Sequence, residues 1–431
     1  MISNNQSVKP FLNKDKTTKL KFFNLSVSDE KFLQPLFFVT VLFFLFGFIT
    51  CLNDILIPHL KGLFTLSYTE AILIQVCFFS AYFFMSIPAG QITQKKGYRF
   101  GIVGGLVTAA VGTLGFIPAA QLGSYGIFLL SLYILASGIT LLQVSVNPYV
   151  TLLGSPEKAS FRLNLVQAFN SLGTTLAPYL GSLIILESAD KILGVQVPYL
   201  ALTIVLLIVA FAFFKISLPS LTEFTNQAEL SANPKQSFSF APYLKTIKEN
   251  PHLLLGMFAI FFYVGGEVAI GSFLVSWLTE GSVAGLSTED AGKYVSLYWG
   301  GAMVGRFLGS FLTARFSPNK VLRFSVLSCL LLIILGALPI NPFLSTWAII
   351  AIGLFNSIQF PTIFSLSVEG LGKSTPYASG LLCTCIVGGA IMPLLQGIGA
   401  DSVGLRWSFL VPFICYLYIF LVAPRLQKNK K

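Results

Sequence analysis

Long apolar runs, each of about the length that crosses a lipid bilayer, recur along this chain from residue 35 to residue 425. A membrane-spanning helix needs about 20 mostly apolar residues. Twelve stretches meet that length, at roughly 35–60, 68–92, 99–119, 125–153, 162–186, 196–218, 251–279, 289–314, 320–340, 343–369, 376–400 and 406–425. Lipid offers no water to satisfy backbone N–H and C=O groups, so each run must form a helix. The expectation is an all-α membrane protein of twelve transmembrane helices. Composition agrees, since 55% of the residues are hydrophobic and 10% are charged, against about 25% charged in an ordinary soluble domain.

The longest break between runs, 219–250, carries Glu223, Asn226, Glu229, Asn233, Pro234 and Lys235. A polar, proline-containing stretch of that length reads as a linker between two halves. The expected organisation is a tail over 1–34, a six-helix bundle over 35–218, the linker over 219–250, a second six-helix bundle over 251–425 and a short tail over 426–431.

The net charge of +11 suggests nucleic acid at first sight. The charges, however, lie in tails and short connectors, with no basic stripe on a polar surface. They read instead as orientation signals. Lys95, Lys96, Arg99, Lys158, Arg162, Lys215, Lys235, Lys245, Lys248, Arg315, Lys320, Arg323, Lys373 and Arg425 all fall on the side of the two lysine-bearing tails. Only Lys61, Lys191, Lys293 and Arg406 fall on the other. This bias puts both termini in the cytoplasm. The six cysteines sit inside apolar runs, and C-x-C at Cys383 and Cys385 is no usual metal or redox spacing. They read as packing residues, with no metal and no cofactor expected.

The halves echo each other at a spacing of about 215 residues. Gly173 and Pro178 in span five are matched by Gly388 and Pro393 in span eleven, and Asn147-Pro148 in span four by Gln359-Phe360-Pro361 in span ten. Gly90 leads into Gln94-Lys95-Lys96, and Gly309 into Thr313-Ala314-Arg315. Ordered matches at one offset mark two pseudo-symmetric bundles built by duplication.

Polar groups at membrane depth carry the functional reading. Two acids lie well inside spans, Asp54 in span one and Glu267 in span seven, spans that are equivalent in the two halves. An acid at the centre of a spanning helix costs about 2.5–3.5 kcal/mol on insertion scales and marks function by default. Asp54 is the first candidate for coupling to a cation, taking up a proton or ligating Na⁺. The plainer reading is a helix-packing group satisfied by Asn53 or Gln75. Glu267, in Gly265-Gly266-Glu267, is either a ligand for a cation or a hydroxylated solute, or one half of an ion pair with Arg306.

Buried amides are frequent. Gln143, Asn147, Asn164, Gln167 and Asn170 lie in the first half, and Asn356 and Gln359 in the second. Together with Asn53 and Gln75 they are the candidates for binding a neutral polyol, which needs many hydrogen-bond partners and an apolar face for its C–H side. Gln167 and Asn170 are three apart and share a helix face. Any single amide can equally serve as glue between helices. Tyr298 and Trp299 are weaker candidates for stacking. Arg306 reads either as a gate paired with Glu369 or as a side chain reaching for the interface.

The stretch Gly90-Gln91-Ile92-Thr93-Gln94-Lys95-Lys96-Gly97-Tyr98-Arg99 resembles the signature loop of the major facilitator superfamily, with Gln94 where that signature usually has an acid. Four stretches resemble the branch that holds fucose and glucose/galactose cation symporters. They are Asn53-Asp54-Ile55-Leu56-Ile57-Pro58, Val146-Asn147-Pro148-Tyr149, Arg162 to Gly173, and Gln359-Phe360-Pro361-Thr362. Fucose transporters of the branch carry a glutamate where Gln143 stands, so the chain is more similar to the glucose/galactose subgroup. The resemblance implies cation-coupled uptake (H⁺ or Na⁺) of a hexose such as glucose or galactose. It also implies two bundles rocking about a central site, an inner-membrane location and a functional monomer. An enzyme is not expected, because His59 and His252 lie at span ends without a ligand-spaced cluster. A non-transporting sensor would need a larger output domain, and a drug:proton antiporter a more apolar pocket.

Overall fold

The structure, a computed structural model, describes residues 30–64, 68–181, 192–216, 239–339 and 341–427, and leaves aside the side chains of 30–33, 52–64, 68–72, 178, 179, 181, 288 and 289. The first six spans are helices Glu30–Phe64, Tyr68–Lys96, Tyr98–Gln121, Tyr125–Leu152, Ala159–Gly181 and Leu193–Lys215. Spans seven to nine are Pro251–Thr279, Thr288–Arg315 and Pro318–Ala337. The last three spans are segmented. Span ten joins Pro342–Asn356 to Gln359–Val368, and span eleven joins Thr375–Thr384 to Gly388–Val403 through a tight turn at Cys385–Val387. Span twelve joins Leu405–Ser408 to Leu410–Val422.

Ten of these stretches are apolar enough throughout to be read as membrane spans from length and composition. The other two, spans five and eight, carry Gln167, Asn170 and Arg306 of the site described below. Local chemistry sets several starts. Ser124, Ser287 and Asn341 cap their helices by accepting from Ile127 N, Asp290 N and Phe343 N, and Pro251, Pro318 and Pro342 open theirs, where a missing N–H costs nothing. The outer faces keep large apolar side chains exposed, such as Ile204, Ile208, Phe211 and Phe214 on span six. In water that would be an unstable surface; in lipid it is the solvated one.

The repeat seen in the sequence is a repeat of contacts. Span one packs on five as seven packs on eleven, three on four as nine on ten, three on six as nine on twelve, and two on four as eight on ten. At matched places a glycine lets two helices touch. A side chain at Gly173 would meet Phe44 O at 2.2 Å, and one at Gly388 would meet Phe261 O at 2.0 Å. Both are points of close approach, Gly173 within continuous helix and Gly388 at the start of the segment that follows the turn at Cys385–Val387.

The two halves join through span two against eleven and span five against eight. Gly90 faces Pro376 O and Gly380 Cα across the first of these contacts. The stretch read as a linker is not structureless in its last part, since Ala241–Glu249 is a helix. Its polar face misleads the eye, with Lys245 and Glu249 exposed as an ion pair at 3.7 Å. Its other face buries Tyr243, whose hydroxyl donates to Ile87 O of span two and whose ring stands edge-on to Tyr377 of span eleven at 4.9 Å. Residues 217–238 lie outside the described residues.

Candidate functional site

Between the halves lies a cavity of about 160 Å³, walled by Phe46, Phe78, Tyr82, Gln143, Gln167 and Asn170 from the first half and by Tyr263, Val264, Glu267, Arg306, Phe360 and Ile386 from the second. These residues come from spans one, two, four and five and their counterparts seven, eight, ten and eleven. Spans three, six, nine and twelve stand behind them.

The first half contributes neutral amides. Gln143, Gln167 and Asn170 are each 6–7% exposed, so their remaining surface faces the cavity. Asn170 Nδ2 donates to Phe43 O at 3.0 Å, which ties span five to span one and fixes the amide. Gln143 Oε1 has no partner among the described residues. A buried acceptor without a donor is costly, and the residue that bears it lines the cavity.

The second half contributes charge. Arg306 Nη2 stands 3.8 Å from Glu267 Oε1, close enough for strong attraction but beyond hydrogen-bond reach. Arg306 is held by two further contacts: Nε donates to Ser357 O at 3.1 Å, and Nη1 donates to Ser171 Oγ of the other half. The first contact falls where span ten breaks, and it satisfies a carbonyl freed by that break. Glu267 Oε1 and the Tyr263 hydroxyl have no hydrogen-bond partner among the described residues. The walls therefore carry buried polar atoms without a hydrogen-bond partner among the described residues, Gln143 Oε1 in the first half and Glu267 Oε1 and the Tyr263 hydroxyl in the second. Phe46, Phe78, Tyr82 and Phe360 supply flat apolar surface between them.

The structure sorts the sequence candidates. Gln143, Gln167, Asn170, Glu267 and Arg306 meet at the cavity. Asn356 and Gln359 do not: Asn356 Nδ2 donates to Tyr298 Oη at 3.1 Å and Gln359 Nε2 to Cys329 Sγ at 3.4 Å, both inside the second bundle. Tyr298 is buried behind the wall and donates to Glu267 O at 3.4 Å, so it braces span seven instead of stacking on a ligand. Trp299 lies against Gly271, outside the wall. Asn147 is fully buried and lies outside the cavity wall, and Gln75 is exposed. Glu369 does not meet Arg306; it accepts from Gln427 Nε2 at 2.7 Å at the end of span ten. Arg306 is 14% exposed and faces the cavity, so it does not reach toward the interface. The side chains of Asn53 and Asp54 lie outside the described residues.

Sequence reasoning missed Tyr263, Tyr82, Ser171 and the phenylalanines. Tyr263 had a signal, being four residues before Glu267 and so on the same helix face. The phenylalanines had none, because 41 are spread along the chain.

Against known families, residues 36–386 match the model of the Major Facilitator Superfamily. The chain belongs to this superfamily. Among its superfamily relatives, it is 49% identical over 387 residues to the glucose/galactose transporter of Brucella abortus biovar 1 (strain 9-941), covering 88% of this chain and 91% of that one. It is 46% identical over 410 residues to the putative glucose/galactose transporter of Helicobacter pylori (strain J99), covering 91% and 97%. A crystal structure of the superfamily transporter FucP in the outward conformation aligns with a TM-score of 0.84 at 32% identity, over 92% of this chain and all of that one.

Proposed function

We propose that this chain carries a hexose such as glucose or galactose across the cell inner membrane together with a cation, H⁺ or Na⁺, by alternating access. The observation that carries the reading is the central cavity, where Gln143, Gln167 and Asn170 face Tyr263, Glu267 and Arg306 across a gap edged by aromatic rings. That combination suits a sugar, whose hydroxyls both donate and accept and whose C–H face packs on an aromatic plane. The names of the glucose/galactose relatives support the same substrate class.

The lysine and arginine bias supports cytoplasmic termini. On that orientation, the contacts of span two with eleven close the cavity from the cytoplasm, which supports a state loaded from outside. Asp54 is the proposed coupling residue, with Glu267 either sharing that role or receiving sugar hydroxyls. Asn170 and Gln167 bind from the first half. Loading of sugar and cation together lowers the charge at the site, and the bundles then rock to open inward. The protein acts as a monomer in this reading.

Counterflow tests substrate class without any ion gradient. Proteoliposomes preloaded with unlabelled galactose or glucose should draw in the labelled sugar transiently above equilibrium. Failure of both sugars, with the protein folded and correctly inserted, would contradict the assignment.

A further inference from the structure

On the side of the four–five and ten–eleven connections, the halves close below the cavity through small neutral polar groups. Asn164 Nδ2 lies 3.2 Å from Thr362 Oγ1, the hydroxyls of Ser160 and Ser365 are 2.5 Å apart, and Ser379 Oγ donates to Val144 O at 2.7 Å. Each of these contacts joins one half to the other.

Within this seam, polar capacity is left over. Asn147 is fully buried, and neither its Nδ2 nor its Oδ1 has a partner among the described residues. Asn164 Oδ1 is likewise buried without a partner there. An apolar side chain would seal such a seam at less cost than an unsatisfied amide. The placement is also regular. Asn147 lies four residues beyond Gln143 on span four, and Asn164 three residues before Gln167 on span five, so each continues a face that begins in the cavity wall. At 1.5 Å of rise per residue, the step down is roughly 4.5–6 Å on both helices, about one sugar ring.

We propose that Asn147, Asn164 and Thr362 form a second sugar subsite on the release path, closed here and uncovered when the halves part on this side. A hexose leaving Gln143 and Gln167 exchanges their amides for the next pair instead of passing an apolar collar. Opening breaks the hydrogen bonds of the seam, and the polyol hydroxyls take up the exposed donors and acceptors. The inference rests on the sugar-transport reading.

The test is the KM for the transported hexose measured separately from each face, in proteoliposomes of known orientation. Asn147→Leu and Thr362→Val should raise KM on the linker-bearing face by about ten-fold while leaving KM on the opposite face within about two-fold. Asn147→Ser, which replaces the amide by a single hydroxyl, should fall between and guards against a folding defect in the leucine variant. Equal KM values on both faces in all variants, or a parallel rise on both, would overturn the subsite. Absence of hexose flux in the unmodified protein would instead overturn the sugar reading, and the subsite with it.

Discussion

The two halves of the molecule are alike as scaffolds and unlike as walls. Gly173 meets span one and Gly388 meets span seven at nearly the same separation, and the helix pairs on either side repeat one for one. The surfaces these frames present differ. Among the described residues, the first half offers Gln143, Gln167 and Asn170, all neutral, and the second offers the Glu267–Arg306 pair beside Tyr263. Duplication supplies two bundles able to rock against each other, and divergence of the lining supplies the chemistry. Arg306 joins the two levels, since one guanidinium touches the acid of its own half, the break in span ten and Ser171 of the other half.

The sharpest way to break this comparison is to remove the charge from one wall. Arg306→Met leaves Glu267 without its counter-charge and should cost about 3–5 kcal/mol of stability, with counterflow lost. The double variant Glu267→Gln/Arg306→Met should regain most of that stability in thermal unfolding but no transport. Recovery of transport as well would show that the pair serves folding alone. Next in size is the likeness of the scaffolds. Gly173→Ala and Gly388→Ala each drive a methyl into a backbone carbonyl, and each should destabilise by about 1–3 kcal/mol. A large effect in one and none in the other would show that the halves are not mechanically equivalent.

Amide position gives a smaller and more specific contrast. Gln167→Ala, in the wall, should weaken hexose binding about ten-fold by calorimetry. Gln359→Met, behind the wall, should change it by less than about two-fold. The smallest effect is expected at the linker helix. Tyr243→Phe removes one hydrogen bond from the closed side, worth about 0.5–1.5 kcal/mol. In a Ser379→Cys background it should speed alkylation at position 379 by up to about ten-fold, compared with the same background carrying Tyr243.

These contrasts also explain what the sequence could reveal. Twelve spans and their duplication were legible because lipid imposes length and apolarity on each helix, whatever it touches. The breaks were not. Span ten reads as one apolar run through Ser357 and Ile358, and its interruption lies where Arg306, 51 residues away, takes the Ser357 carbonyl. The helix at 241–249 was hidden by its lysines, because only Tyr243 and Thr246 of its residues are buried. In the site, residue type was readable and facing was not. Gln167 and Gln359 are both buried amides in motif-like stretches, yet one borders the cavity and the other donates to Cys329. Telling them apart needs the rotation of each helix about its axis, and tertiary contacts fix that.

Coupled sugar uptake through the cavity between the halves is what the proposed transport cycle requires. Its most direct test is radiolabelled galactose and glucose uptake into sealed vesicles, with an inward proton gradient or an inward sodium gradient imposed separately. One gradient should drive accumulation above the external concentration, and an ionophore for that ion should collapse it. Sugar that only equilibrates under both gradients would contradict cation coupling and the role given to Asp54.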